Sequence, residues 1–251
     1  MNEAVRIDAA ATERQLRVDL AAAFRLAVRF GWHEAVANHF SAAVSPDGRK
    51  FLINPRWRYF GSIRASDLLL LDAEDKATMA RPDAPDPSAW SIHSAIHREI
   101  PRARVVLHLH PPYSTALAGL KDPTIRPIDQ NTARYFNRMA VDLSFGGIAT
   151  EEAEGERIAK TVGNHSVVMM GNHGVTVVAE TVAKAFDEMY YLERAAQTMI
   201  LAYSTGQPLS VMSDELAERT ARDWDDYKGA ETAHFEEMKR VLDREDPSYA
   251  D

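Results

Sequence analysis

Residues 104–110 read RVVLHLH, a continuous apolar run closed by Pro111 and Pro112. A short apolar stretch ended by helix-breaking prolines is predicted to be a buried strand, followed here by a short helix. Its sheet partners are legible on both sides. HFSAAV and KFLIN flank the turn Ser45-Pro46-Asp47-Gly48 and predict one hairpin. Residues 68–72 and 76–80 predict a second hairpin. Residues 166–170 and VTVVAE, around Gly171-Asn172-His173-Gly174, predict a third. Residues 139–144 read as one more strand.

Helical spacing connects these runs. Leu16, Leu20, Phe24 and Ala27 mark a helix over 10–30, with Gly31 as its stop. Pro82, Pro85 and Pro87 make a loop over 82–88, and 89–99 is helical up to Pro101. Thr150 is expected to cap a helix carrying Glu151 and Glu152 in its first turn. Thr181 opens a long helix to about Tyr203. Leu216, Thr220, Trp224 and Tyr227 give the tail one weakly apolar helical face. These elements describe an α/β domain over 1–212 with a helical extension over 213–251.

Composition excludes several functions. The 251 residues include no cysteine, so disulfides, thiol nucleophiles and thiolate metal sites are ruled out. The net charge is −8. Residues 213–251 hold 13 acidic and 6 basic side chains, a net −7, which leaves the body near −1. Nucleic acid and anionic membranes require a basic face, so neither is an expected partner. No apolar run is long enough to span a membrane, and an N-terminus carrying Glu3, Asp8 and Glu13 is unlike a signal peptide. The expected location is the cytoplasm.

The histidines carry the candidate chemistry. His108 and His110 are two apart in a strand, so both rings leave one face of the sheet. Neutral imidazole is a common ligand for zinc and other transition metals, and a catalytic site needs a third ligand. His173, at a glycine-flanked turn between two strands, can supply it. His39 begins a strand and can face the same pocket. His93 and His97, four apart on a helix with Trp90, Ile92, Ile96 and Ile100, read as packing residues. His165 and His234 read as surface residues.

In combination these segments are recognisable. VVLHLHPPYSTALA (105–118) and MMGNHGVTVV (169–178) resemble the class II aldolase and adducin family, as do NHFSAAV and INPRWRYFGSIRASDLLLLD. The resemblance covers roughly residues 12–205, and 63 residues separate His110 from His173. It implies a three-layer α/β/α domain with a largely antiparallel central sheet. It also implies a homotetramer with sites between subunits, and a divalent ion, zinc first with manganese, cobalt or iron as alternatives, on His108, His110 and His173. The implied chemistry is cleavage or rearrangement beside a carbonyl, with the ion stabilising the negative charge that develops.

The departures from the family pattern narrow the substrate. The aldolase glutamate falls at Ala89, within Pro87-Ser88-Ala89-Trp90, and a tyrosine proton donor falls at Gln130, with Tyr135 nearby. A phosphate-binding Gly-Asn pair is replaced by Asn38-His39, and a Thr-Gly pair by Arg56-Trp57. His39, Arg56 and Ser88 are therefore the expected substrate contacts, with Gln130 and Tyr135 as catalytic candidates. Arg56 or Arg58 can bind a carboxylate in bidentate fashion. The expected activity is a metal-dependent carbon–carbon lyase on a small hydroxy, oxo or aromatic acid, decarboxylation ahead of aldol cleavage. The alternative is an adducin-like association module without catalysis.

Overall fold

The structure, a computed structural model, describes residues 3–148 and 150–251, with backbone alone over 3–11. Met1, Asn2 and Ala149, inside the expected 1–212 domain, lie outside the described residues. Helix α1 (Glu3–Arg29) buries Leu20, Phe24 and Ala27, as their spacing requires. It stops where Gly31 takes a φ of 72°, a left-handed conformation open to a residue without Cβ.

Seven strands form one sheet among the described residues. They are β1 (His39–Ala43), β2 (Lys50–Ile53), β3 (Leu69–Asp72), β4 (Val105–Leu109), β5 (Met139–Asp142), β6 (Val167–Met170) and β7 (Gly174–Ala179). Their order is β3-β2-β1-β4-β7-β6-β5, and only the β5–β6 pair is parallel. The sheet is therefore largely antiparallel, as expected, with β4 at its centre.

Alternation along β4 divides the interior. Val105, Leu107 and Leu109 enter the large core beneath α1, α3 (Pro112–Ala118), α5 (Val182–Ser204) and α7 (Ala230–Glu245). Val106 points the other way, into a smaller core under α2 (Pro87–Glu99) and α4 (Glu152–Val162). Helices thus cover both faces, giving the three-layer arrangement. The acidic tail forms α6 (Asp214–Asp225) and α7, and Phe235, Leu242 and Tyr249 enter the large core. At about 1.5–3 kcal/mol for each large apolar side chain buried, this contact outweighs the repulsion among solvated acidic groups on the far side.

Four local expectations are corrected. Residues 76–80 form no strand: 78–80 is a single 3-10 turn, and β3 pairs with β2 instead. Helix α2 starts at Pro87 rather than 89, because Asp86 accepts from Ser88 N at the cap and proline suits the first helical position. The cap of α4 is Glu151, not Thr150, with no side-chain capping bond of its own. In the tail, Ala217 and Ala221 are the buried positions, while Leu216 and Tyr227 are exposed. The small residues fit close helix packing that larger apolar ones would prevent.

Helices α2 and α4 cross closely at Gly155. A Cβ there would collide with the Ser91 carbonyl oxygen, while Ser91 Oγ donates to the Glu151 carbonyl at 2.7 Å. Gly155→Ala is expected to destabilise the fold by about 1–3 kcal/mol, the usual range for overpacking. The difference should show as a lower urea midpoint with an unchanged slope.

Candidate metal centre

Cross-strand register sets the site. His108 points from β4 toward the α2 and α4 side, with His39 of β1 opposite it on one flank and Thr176 of β7 on the other. The Thr176 hydroxyl donates to Met170 Sδ at 3.3 Å, so its oxygen accepts from His108 Nδ1–H at 3.1 Å. That bond leaves the Nε2 lone pair of His108 free.

His110 lies one residue beyond β4, where Pro111 ends the strand. The following turn is fastened by Glu193 of α5, which accepts from Tyr113 N and Ser114 N at 2.8 Å and from Ser114 Oγ at 2.6 Å. Glu34 accepts from His110 Nδ1–H at 2.6 Å and fixes the same tautomer. The Nε2 atoms of His108 and His110 then face each other 3.3 Å apart. Two lone pairs at that distance repel unless a cation lies between them, so the donor set fits a metal.

His173 completes the set from the β6–β7 turn. Asn172 takes a φ of 57° beside it. At Gly174 a Cβ would strike the His110 ring and the Leu109 carbonyl. The ligand atoms of the three histidines lie within 4.8 Å of one another. Burial pulls the pKa of His108 well below the usual histidine range, and pulls that of His173 to about 4. Neutral imidazoles are the metal-binding form. The three histidines therefore form a group that could hold a metal ion.

The triad forms the end of a cavity of about 400 Å³. His39, Arg56 and Ser88, the expected substrate contacts, all line it, as does Ala89. Trp57, Phe145 and Ile148 supply apolar walls near the mouth, and Ile148 is 81% exposed. Asp86 brings a carboxylate that the sequence reading missed, although an aspartate before a proline-opened helix is a capping signature. It pairs with Arg56 at 3.2 Å and accepts from Ser88 Oγ at 2.7 Å.

Known sequences and structures similar to this chain identify its family. The model of the class II aldolase and adducin N-terminal domain matches residues 18–200. The chain belongs to this family. A Caulobacter vibrioides protein named for the class 2 aldolases is 33% identical, over 95% of this chain and 93% of its own. The decarboxylase NovR of Streptomyces niveus is 28% identical, over 80% and 74%. A solved aldolase II superfamily protein from Pseudomonas syringae superposes with a TM-score of 0.86 at 31% identity, covering 95% of this chain and 96% of that one. The expectation of an enzyme of the lyase class agrees with these names.

Within the family frame, two candidates lie away from the triad of their own chain. Tyr135 is buried and donates its hydroxyl to the Glu188 carbonyl at 3.0 Å. The Gln130 backbone carbonyl accepts from the Trp224 indole N–H at 2.9 Å. Neither lines the cavity. Arg58 is also outside it, paired with Asp67 at 3.4 Å. His234 is not a free surface residue, since Asp187 accepts from its Nδ1 at 2.8 Å. Among the described residues no helix is long and apolar enough to cross a membrane.

His93 and His97 are buried as expected, but they hydrogen-bond rather than merely pack. Burial, and then nearby Arg104, hold the His97 pKa at about 3. In the unfolded chain it returns to about 6.5. Below pH 6.5 the unfolded state therefore binds a proton that the folded state refuses, and stability falls as pH drops. From pH 7.5 to pH 5 this single group is expected to cost about 2 kcal/mol, with a shallower decline in His97→Gln, both read by urea unfolding.

Two substitutions test the metal centre. His173→Ala is expected to abolish tight binding of one divalent ion per chain. Glu34→Ala should weaken it about ten- to hundredfold, the usual effect of removing a carboxylate behind a histidine ligand. Competition with a chromophoric chelator and elemental analysis provide the readouts.

Proposed function

We propose that the chain is a metal-dependent carbon–carbon lyase acting on a small carboxylic acid, and that its reaction is decarboxylation. The observation that carries this reading is the cavity itself: three convergent imidazoles at one end, Ala89 beside them, and, among the described residues lining it, no carboxylate without a partner. His108, His110 and His173 would hold one divalent ion, with zinc the expected metal. Such an ion, when bound, supplies Lewis-acid stabilisation of negative charge beside a carbonyl.

The chain's own residues have separable tasks. Arg56 presents a guanidinium stacked 4.1 Å from the Trp57 ring, held yet partly exposed toward an incoming acid. Trp57, Phe145 and Ile148 present exposed apolar surface at the mouth, and a bound substrate or a neighbouring subunit covering it would exclude water and strengthen the charge interactions inside. Ala89 adds no negative charge to repel an anionic substrate. Loss of CO₂ leaves the bonding electrons on the substrate without a base first removing a proton. Aldol cleavage needs a base for the hydroxyl proton. One relative, NovR, is named a decarboxylase, and others are named for aldolases, which is the lyase frame this reading rests on.

Aldol cleavage is the second reading, and Asp86 is the residue that favours it. Burial acts to raise its carboxyl, but the hydrogen bonds from Ser88 and then the Arg56 charge together hold it below the usual range, so a carboxylate is present in the cavity. Its ties to Arg56 and Ser88 make it a weaker base than a free carboxylate. The exposed apolar rim of Leu143, Phe145, Ile148 and Trp57 supports a homotetramer whose sites are covered by neighbouring subunits.

Zinc-loaded protein screened against hydroxy, oxo and aromatic acids should release CO₂ from one class. Ala89→Glu should keep its metal and turn over that acid more slowly, since two carboxylates near 4 Å repel by about 1–4 kcal/mol in a partly solvated pocket. Aldol cleavage without CO₂, accelerated by Ala89→Glu, would replace decarboxylation with the second reading.

A further inference from the structure

A chain of hydrogen bonds runs from the cavity into the interior. His39 and Ser41 are two apart on β1 and share the face toward α2, where His93 and His97 stand one turn apart. His39 Nδ1 and His93 Nε2 are 2.8 Å apart. Ser41 Oγ bridges His93 Nδ1 at 2.5 Å and His97 Nε2 at 2.7 Å. At the cavity end, His39 Nε2 lies 3.4 Å from Ser88 Oγ. Ser41, His93 and His97 have no exposed surface, and His39 is 5% exposed.

The direction of these bonds can be worked out from one end. Ser88 spends its single hydroxyl proton on Asp86, so its oxygen turns lone pairs toward His39. His39 Nε2 must therefore carry a hydrogen. The ring is 5% exposed and its hydrogen-bond partners are a hydroxyl and another imidazole, so it sits there uncharged, and a neutral imidazole with Nε2–H has a bare Nδ1. That atom accepts from His93 Nε2–H. The bare Nδ1 of His93 accepts from the Ser41 hydroxyl, whose oxygen accepts from His97 Nε2–H. The chain then ends at His97 Nδ1, a buried nitrogen with no hydrogen-bond partner. The opposite polarity would set the lone pairs of His39 Nε2 and Ser88 Oγ against each other.

We infer that His93, Ser41 and His97 are positioning residues that lock His39 as an Nε2–H donor aimed into the cavity, where it binds an oxygen of the acid substrate. The bond from His39 to Ser88 is the longest in the chain, so a substrate oxygen can replace it at little cost. A locked neutral donor stabilises developing negative charge without reorganising, as the donors of an oxyanion hole do. Without the chain, His39 would exchange between two tautomers, one of which turns a lone pair toward the substrate. The inference rests on the lyase reading for its substrate but not for the tautomer.

The imidazole nitrogens of His39 can be read by two-dimensional ¹⁵N–¹H NMR of the whole protein, metal-free and zinc-loaded. The expected spectrum has a protonated Nε2 and a bare, pyridine-type Nδ1 in both states. His93→Leu and Ser41→Ala should each give averaged shifts from mixed tautomers. His93→Gln, whose amide can still donate to His39 Nδ1, should restore the locked form. Oxalate, as a small-acid probe on the zinc-loaded protein, should bind about ten- to hundredfold more weakly in His93→Leu, the effect of losing a hydrogen bond to a charged group. It should recover in His93→Gln, at unchanged metal content throughout. A wild-type His39 protonated on Nδ1 overturns the inference without reference to any variant. Unchanged tautomer or oxalate affinity in a folded His93→Leu also overturns it. The tautomer is measured without turnover, so failure of every acid to release CO₂ bears on the proposed reaction alone.

Discussion

The site depends on the cost of placing imidazoles in a dry layer between sheet and helix. His39, His93, His97 and His108 are all buried on the α2 side of the sheet. A charged ring there would lose its hydration with little in return, so all four are held neutral. A neutral imidazole is both donor and acceptor, and its orientation is decided by whichever partner fixes one nitrogen. Thr176 does this for His108 and Ser88 for His39. Neutrality and orientation are the two properties a metal ligand needs; burial supplies the first and a fixed hydrogen-bond partner the second.

The scaffold delivers these rings through register rather than through any single motif. In β1 the residues Phe40 and Ala42 enter the large core, which leaves His39 and Ser41 on the opposite face. In β4 the same alternation sends Leu107 and Leu109 to the core and His108 to the site. A slip of one residue in the β1–β4 pairing would bury the imidazoles among apolar side chains and expose the core. Glu193 has a related task at longer range. Its pKa is raised by burial, yet its three hydrogen bonds fasten the turn that holds His110.

Charge in the cavity is arranged in paired rather than free form. Arg56 is neutralised by Asp86, and Glu34 is committed to His110. The free positions are the nitrogens of the triad and the Nε2 side of His39. A small anion entering past Trp57 and Phe145 meets donors and a potential cation, with the nearby carboxylates already engaged. Such an electrostatic pattern suits accumulation of negative charge more than its removal.

Much of this was legible in the sequence. The apolar run ending in Pro-Pro fixed the central strand, the two-residue spacing of His108 and His110 fixed their common direction, and the glycine-flanked turn marked His173. Helix spacing and caps located α1 and α5. These signals are local: side-chain periodicity and backbone sterics act over a few residues and leave a direct trace in residue order. Residues 76–80 misled because an apolar stretch alone does not make a strand: 78–80 turn in a 3-10 helix, and among the described residues β3 keeps β2 as its one neighbour at the end of the sheet. Glu34, Asp86 and Thr176 were not singled out, because each acquires its role from a partner distant in sequence. His93 and His97 read as packing residues for the same reason, since only the docking of α2 onto β1 brings Ser41 between them. Sequence determined which way each side chain leaves its own element. Tertiary structure alone decided which polar atoms meet, because a hydrogen bond in a buried layer depends on angstrom distances set by the packing of whole elements.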